Sequence, residues 1–393
     1  MRTIHGSIAR LKMFGRCILV LVPISAYGLA QAADQASNEP GERVAKSAEL
    51  RAVWLNGRAF RDAAAQDATL LKLKRANLNT VFLIAPQIGD NPGWSPPEAF
   101  GQFVKKLQEH GFAVHGWLLN HRRLQIVDFS DPNEQAAQVQ WAIGLLDHYQ
   151  ALDGVHLDYI RAPQWGKSSK VVTDGVTSTV RKIHDAIGAK YPGKLLSCAG
   201  FVGSEPAYRG FRRKDGTIDW SGEVPKWFQE WYVANPDNYF TRLVASGKRK
   251  NLEPQFVCGP NFLAYQQDTV TWLRTGAIDA VIIMNYTMND EKWRAETEVW
   301  KSFLNGNIGN LYMGLGWLVE KGHDDWGYDP KRLCGKIQGG RQNGLKGFSI
   351  FTMAFDPKQD EVLIQVLSED SDVNGDQAPF KTPAQSPLKA RSR

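Results

Sequence analysis

Eight short apolar runs, separated by segments with helical periodicity, constrain the fold of this 393-residue chain more than any other feature. The runs are rich in β-branched residues, as expected for parallel strands that are buried on both faces. They cover residues 50–55, 79–85, 113–118, 154–158, 195–199, 280–284, 311–314 and 347–351. The segments between them that carry apolar residues at three- and four-residue spacing, which is typical of amphipathic helices, are 61–76, 99–110, 133–149, 172–190 and 331–343.

Eight strands that alternate with helices predict an α/β fold of the (β/α)8 TIM-barrel type. A doubly wound open sheet is the competing fold, but the first strand is followed by Asn56-Gly57-Arg58 rather than by a glycine-rich phosphate turn. The fifth and sixth strands start 85 residues apart, which leaves room for an insertion over residues 203–275. We expect this insertion to lie over the C-terminal mouth of the barrel and to form one wall of a ligand cleft. Its aromatic residues are Trp220, Trp227, Trp231, Tyr232, Tyr239 and Phe240.

The two ends of the chain differ from this organised block. Residues 1–32 combine a basic stretch, an apolar run and the small-x-small pattern Ala30-Gln31-Ala32, which predicts a cleaved signal peptide and an exported, periplasmic or secreted protein. Residues 33–49 are expected to be a flexible N-terminal segment, 50–368 the barrel domain, and 369–393 a disordered C-terminal tail without apolar periodicity. Apart from the export signal, no segment predicts an association with membranes.

Charge and cysteine content limit the classes of partner. The net charge of +6 includes four basic residues and no acid within residues 1–32, so the mature chain carries about +2 and offers no general basic field for nucleic acid. Three cysteines remain after cleavage, Cys198, Cys258 and Cys334, so at most one disulfide is expected. They form no C-x-x-C pair, and we predict neither a metal nor a cofactor.

The C-terminal ends of barrel strands carry the functional residues of TIM-barrel proteins. At these ends the chain places a mixture of carboxylates, amides and aromatic rings, which suits a polyhydroxylated ligand better than a phosphate. Asp158 is the strongest candidate for a functional residue, because burying a carboxylate at the end of a strand costs free energy unless the group is paired or functional. Arg161 is its expected ion-pair partner, and His156, two residues away on the same face, is expected to orient it. A structural Asp–Arg pair and an ordinary buried histidine are the competing interpretations.

Four segments together resemble glycosyl hydrolase-like family 10. They are the strand-four text LDGVHLDYIRAP, the opening RAVWL, Asp131-Pro132 before the third helix, and the stretch from Ile278-Asp279 to Tyr286. Members of that family are exported bacterial TIM-barrel glycosidases, some of which act on the glycan chains of peptidoglycan. The resemblance spans most of residues 50–355 and implies that Asp158 is catalytic. Many relatives carry a second acid directly after this aspartate, where the present chain has Tyr159.

Glycoside hydrolysis normally needs two carboxyl groups, one that donates a proton and one that attacks the sugar or activates water. We therefore predict Asp158 and Glu205 as the catalytic pair, since Glu205 follows the neighbouring strand; Asp290, Glu291 and Asp325 remain alternatives for the second acid. The predicted substrate is a polysaccharide or an oligosaccharide. The residues that we expect to bind it are Trp54, Asn56, Trp117, Asn120, His156, Tyr159, Arg161, Asn285, Tyr286 and Trp317.

Two further interpretations stay open. Chitinase-type enzymes carry D-G-x-D-x-D-x-E on strand four, and here Asp153-Gly154 and Asp158 match this pattern while Ile160 stands in place of the glutamate. On that alignment the chain would be a non-catalytic polysaccharide-binding barrel. A metal-dependent deacetylase would need histidine and aspartate ligands that converge on one ion, and His115 and His121 do not form a recognised ligand pattern.

Overall fold

The computed structural model describes residues 49–91, 93–121, 127–162, 170–203, 206–221, 224–247, 253–317, 329–353, 356–368 and 386–390. Eight parallel strands close into a barrel in the order β1-β2-β3-β4-β5-β9-β10-β11, which confirms the predicted (β/α)8 fold. The predicted signal peptide, most of the N-terminal segment, Glu205 and Asp325 lie outside the described residues. The barrel strands are β1 (Leu50–Leu55), β2 (Thr80–Ile84), β3 (Ala113–Leu119), β4 (Gly154–Asp158), β5 (Leu195–Phe201), β9 (Ala280–Met284), β10 (Leu311–Gly316) and β11 (Gly347–Phe351).

Helices cover the outside of the barrel. Most of them start with a side-chain cap. In α3, for example, Asp131 is the cap, Pro132 is the first helical residue, and the Asp131 carboxylate accepts a hydrogen bond from the backbone N–H of Asn133. The sequence analysis did not identify α9 and α11, although α9 buries Trp293, Trp300 and Phe303 at helical spacing. No helix within the described ranges is long and apolar enough to span a bilayer. The barrel helices are α1 (Ala63–Arg75), α2 (Pro97–Glu109), α3 (Pro132–His148), α4 (Lys170–Lys190), α9 (Asp290–Phe303), α10 (Pro330–Gln342) and α11 (Pro357–Leu367).

The core has two layers because successive strand residues point to opposite faces. In β1, Leu50, Ala52 and Trp54 belong to an apolar cluster in the barrel interior, whereas Val53 and Leu55 belong to the larger cluster between strands and helices. The same alternation in β4 directs His156 and Asp158 to the interior face, with Asp158 at the C-terminal end.

The described part of the insertion between β5 and β9 contains a small antiparallel sheet in the order β7-β6-β8 and four short helices. The last of these helices packs against α4 and β9 and so takes the place of the fifth barrel helix. The elements are β6 (Pro206–Arg212), β7 (Ile218–Trp220), α5 (Lys226–Ala234), α6 (Tyr239–Ala245), β8 (Phe256–Pro260), α7 (Asn261–Ala264) and α8 (Thr269–Arg274).

The aromatic residues of the insertion form its own core and do not line a cleft, so that expectation is wrong for most of them. The ring of Phe228 stacks on Trp231 at 5.7 Å, and Trp231 meets Phe303 at 4.7 Å. These rings are buried against one another and against Phe303, the last residue of α9. Their three- and four-residue spacing within α5, as in Phe228 and Trp231, is the sequence signal of a packed helix face.

The C-terminal tail is not disordered throughout. Residues 386–390 are ordered at the N-terminal end of the barrel, where Leu388 joins the interior cluster. Hydrogen bonds to Thr80 and to His115 fix this short segment, which has a single large apolar residue and therefore gives no periodic signal in the sequence. The remainder of the predicted tail, residues 369–385 and 391–393, falls outside the described residues.

Candidate functional site

Asp158 lies at the C-terminal end of β4, where two hydrogen-bond donors and one cation surround its carboxylate. The backbone N–H of Tyr159 donates to Oδ1 at 2.7 Å, and the indole N–H of Trp117 donates to Oδ2 at 3.2 Å. The guanidinium of Arg161 lies 3.5 Å from Oδ1, which confirms the expected ion pair. An ionised carboxylate only accepts hydrogen bonds, so this set of donors fits the charged form. Asp158 is buried, with 7% of its surface exposed.

Tyr159 bends the chain back immediately after the strand. Its φ is +57°, an unusual value for an aromatic residue, and this left-handed conformation lets its N–H reach the preceding carboxylate. The bend also lays the Arg161 guanidinium over the Tyr159 ring at 4.3 Å, with the Phe201 ring on the other side at 4.6 Å. Phe201 in turn stacks on Tyr265 at 4.1 Å, so the insertion contributes one aromatic residue next to the site. The arginine is held by two rings as well as by Asp158.

Tyr286 and His121 also approach the carboxylate. Burial and, secondarily, the charge of Asp158 raise the pKa of Tyr286 well above its usual value, so its hydroxyl stays protonated and can donate. Its ring stacks on Phe351 at 5.5 Å. Burial lowers the pKa of His121, while the charge of Asp158 opposes this shift. His121 meets the ring of Tyr159 edge-on at 5.0 Å and was not among the predicted substrate-binding residues.

A cleft of about 510 Å³ opens beside Trp117, between the C-terminal ends of β1, β2, β3 and β11. Trp117 forms one wall of the cleft and also donates to Asp158, so it links the cleft to the carboxylate. Asn56 and Trp117 are the two predicted substrate-binding residues that line the cleft. Most of the other lining residues lie in loops without a strand signal, whereas Ile84 and Phe351 are the last residues of β2 and β11. The lining residues are Asn56, Gly57, Arg58, Arg61, Ile84, Trp94, Pro96, Trp117, Phe351 and Thr352.

Two amide groups at the mouth have buried atoms without a hydrogen-bond partner among the described residues. They are Nδ2 of Asn56, which lines the cleft, and both side-chain polar atoms of Asn285, directly after β9. A buried polar group without a partner is costly, and ligand hydroxyls or water satisfy such groups in many binding sites. Both asparagines therefore stay candidates for substrate contact.

Three predicted substrate-binding residues are buried in the core instead. The ring nitrogens of His156 bond to Trp54 at 3.0 Å and to Ser197 at 2.9 Å, so the expected orientation of Asp158 by His156 is wrong. Trp54 donates the first of these bonds from the barrel interior, and neither ring faces the cleft. Trp317 is 2% exposed and donates from Nε1 to the carbonyl of Gln359. These side chains pack the barrel because aromatic residues at strand ends fill its interior as readily as its mouth.

Asn120 and the alternative acids occupy distinct places. Asn120 is buried, its side chain pairs with Gln138, and its backbone N–H donates to the carbonyl of Asp158 at 2.7 Å, so it positions the strand end. Asp290 and Glu291 are exposed in the first turn of α9. Ile160 is fully buried in the core, so the chain has no acid at the position of the chitinase-type glutamate.

Metal ligation was a further alternative. Within the described ranges, no three His, Cys, Asp or Glu side chains come together as a set that could hold a metal ion. A deacetylase site would therefore have to draw on residues outside these ranges.

Solved glycosidase structures share this fold. A chitinase from Bacteroides thetaiotaomicron aligns with a TM-score of 0.51 at 12% identity, over 84% of this chain and 98% of its own. The glycoside hydrolase domain of PgaB (BpsB) from Bordetella bronchiseptica aligns with a TM-score of 0.50 at 12% identity, over 81% and 99%. The Bacillus cereus spore cortex-lytic enzyme SleL aligns with a TM-score of 0.50 at 9% identity, over 82% and 75%.

At such low identity these likenesses establish the fold and no finer property. No protein-family model and no curated protein matches the chain, so membership of glycosyl hydrolase-like family 10 is not supported. What the comparisons do show is a TIM barrel of the kind found in chitinases and other glycoside hydrolases.

Proposed function

We propose that the protein is an exported glycoside hydrolase that cleaves glycosidic bonds in a bacterial polysaccharide, either a cell-wall glycan or an exopolysaccharide. The observation that carries this proposal is the Asp158 carboxylate, which is held by two hydrogen-bond donors and the Arg161 cation at the C-terminal mouth of the barrel and is linked through Trp117 to an aromatic cleft. A carboxylate fixed by donors can attack the anomeric carbon or stabilise the positive charge that develops on the sugar. Export rests on the signal-peptide pattern of residues 1–32.

The second carboxyl group has to donate a proton to the leaving oxygen. We propose Glu205, which follows the strand next to β4 and lies between described residues of the insertion. If this role is correct, Glu205→Gln will slow the cleavage of glycans far more than that of activated aryl glycosides, whose leaving groups need little protonation. An equal loss on both substrates would direct the search to Asp290, Glu291 or Asp325.

The cleft supports a sugar ligand and favours one with acidic groups. Trp94 is 62% exposed and faces Trp117 and Phe351 in a space that suits stacking on the apolar faces of sugar rings. Arg58 and Arg61 line the same cleft, and guanidinium groups pair well with carboxylates and phosphates. A glycan with acidic substituents, such as the lactyl carboxylates of peptidoglycan, therefore fits better than a neutral one.

The test is the release of reducing ends from purified peptidoglycan and from acidic and neutral exopolysaccharides. We expect Asp158→Asn to lower turnover by about 10³-fold or more, because it removes a group that acts in the transition state. The exposed Asp219, which pairs with Arg213 in the insertion, gives a matched control, and Asp219→Asn should leave turnover unchanged. Near-normal hydrolysis by Asp158→Asn on a confirmed substrate would show that this catalytic assignment is wrong.

A non-catalytic polysaccharide-binding barrel is the second candidate, and the buried Ile160 favours it. Such a protein needs the cleft but not the carboxylate. It would bind glycan in a pull-down with the same affinity before and after Asp158→Asn, and neither form would release reducing ends.

A further inference from the structure

The N-terminal end of the barrel, opposite the cleft, is filled by residues from the far end of the chain. Leu388 is 3% exposed and joins Leu50 and Phe82 in the interior cluster. These partners lie more than 300 residues earlier in the sequence, so the contact is a tertiary one made by a short segment. The described segment Ser386–Ala390 has no regular secondary structure, and its side chains and backbone provide the contacts.

Polar groups of the barrel interior find their partners in this segment. The hydroxyls of Thr80 and Ser386 hydrogen-bond at 2.6 Å, and Nε2 of His115 lies 2.8 Å from the carbonyl of Leu388. Because a carbonyl only accepts, Nε2 of His115 carries the proton. Thr80 and His115 are fully buried, and a polar group in that position is costly without a partner.

A buried carboxylate fixes the end of the segment. Asp153 is 3% exposed and accepts from the backbone N–H of Ala390 at 3.0 Å. The ammonium group of Lys389 lies 3.3 Å from the same carboxylate and donates to the carbonyl of Phe112 at 2.8 Å. The segment thus supplies a cation to a carboxylate that is otherwise removed from solvent.

We propose that the N-terminal end of the barrel is a peptide-binding site whose ligand is the chain's own Ser-Pro-Leu-Lys-Ala segment, residues 386–390. The site accepts a leucine side chain in the barrel interior and a lysine at Asp153. Its occupation seals the barrel and stabilises the fold. This proposal does not depend on the proposed glycosidase activity, because the segment lies at the opposite end of the barrel from Asp158.

The first test compares two leucine variants of the full-length protein. Leu388→Ala should lower the Tm by at least about 4 °C, because it opens a cavity in the interior cluster. Leu71 is 58% exposed on α1, and Leu71→Ala should change the Tm by less than about 1 °C. Equal shifts for the two variants would overturn the proposal.

The second test asks whether the site binds the segment in trans. A chain that ends at Ser368 keeps all barrel elements and should bind a fluorescent peptide of residues 384–393, and the peptide should raise its Tm. Full-length protein should bind the peptide at least about tenfold more weakly, since its own segment competes at high effective concentration. Binding of equal strength to both proteins, or to neither when the shortened chain is folded, would refute the assignment.

The third test covers the case in which the shortened chain does not fold. Carboxypeptidase digestion of full-length protein, followed by mass spectrometry, should remove residues 386–390 much more slowly from wild type than from Leu388→Ala. The same rate for both proteins would show that the segment is not held.

Discussion

Mild acid should destabilise this protein through histidines that the fold keeps neutral. Burial lowers the pKa of His156 well below 6.5, with a smaller contribution from the neighbouring His115, and burial also lowers the pKa of His115. The tautomer of His156 follows from its partners. The indole N–H of Trp54 is a donor, so Nε2 of His156 accepts and Nδ1 donates to Ser197. A proton on Nε2 would place two N–H groups against each other.

The sign of the effect follows from linkage. The unfolded chain binds a proton at each histidine with a pKa of 6.5, whereas the folded chain does so only at lower pH. The unfolded state therefore holds more protons below pH 6.5, and the stability that the neutral rings contribute is lost as the pH falls through this value. At pH 5.5 the loss is at most about 1.4 kcal/mol for each ring that stays neutral. His121 shifts in the same direction, so three rings bring the limit to about 4 kcal/mol.

Urea unfolding at pH 7.5 and pH 5.5, followed by tryptophan fluorescence, measures this loss. His156→Gln keeps an acceptor for Trp54 and a donor for Ser197 but cannot titrate, so it should lose up to about 1.4 kcal/mol less than wild type between the two pH values. His110 is exposed at the C-terminal end of α2, and His110→Gln should leave the stability difference between the two pH values unchanged. Equal stability of wild type at both pH values, or the same pH difference in His156→Gln as in wild type, would refute the reasoning.

Three further outcomes are expected. Trp117→Phe should keep the fold and the cleft wall but lower turnover by about tenfold, because the Asp158 carboxylate loses the hydrogen bond from the indole N–H. A rate equal to wild type in the reducing-end assay would argue against a role of this hydrogen bond in turnover. Arg58→Gln with Arg61→Gln should weaken the binding of acidic glycans and leave neutral glycans unaffected, as measured by affinity electrophoresis at low salt, and equal weakening of both would exclude charge recognition. N-terminal sequencing of the protein from the envelope or medium of an expressing bacterium should start near Ala33, and an intact Met1 on a cytosolic product would contradict export.

The barrel could be predicted because its strands are apolar on both faces and short, which sets them apart from the helices. Asp158 could be placed at the mouth for the same reason, since alternation along β4 fixes its face once the strand end is known. The ion pair within the strand-four motif could also be predicted from the sequence, because Arg161 is only three residues from Asp158. The bent backbone at Tyr159 that brings them together left no trace in the sequence pattern.

Contacts between segments that are distant in the sequence could not be predicted from it. Asp153 in the strand-four motif gives no sign that its charge is matched by Lys389 from the end of the chain. His156 was assigned to Asp158 because the two share a strand face, but its partners come from β1 and β5, which only barrel closure brings near. Trp94 lies in a loop, where neither period nor position distinguishes a cleft wall from a solvent-exposed ring.

The polar side chains of the barrel interior differ in kind from one end of the barrel to the other. At the N-terminal end, Nε2 of His115 donates to the carbonyl of Leu388, and in the middle both ring nitrogens of His156 have partners, Trp54 and Ser197. Burial lowers the pKa of both rings, which favours their neutral forms. At the C-terminal end, the Asp158 carboxylate accepts hydrogen bonds from the backbone of Tyr159 and from Trp117 and pairs with Arg161. Because the middle layer is neutral and adds no positive charge beneath the carboxylate, the cation that pairs with Asp158 within the described part of the chain is Arg161. Because Arg161 contacts the rings of Tyr159 and Phe201 as well as Asp158, the carboxylate has a cationic partner whose position is fixed by the surrounding side chains.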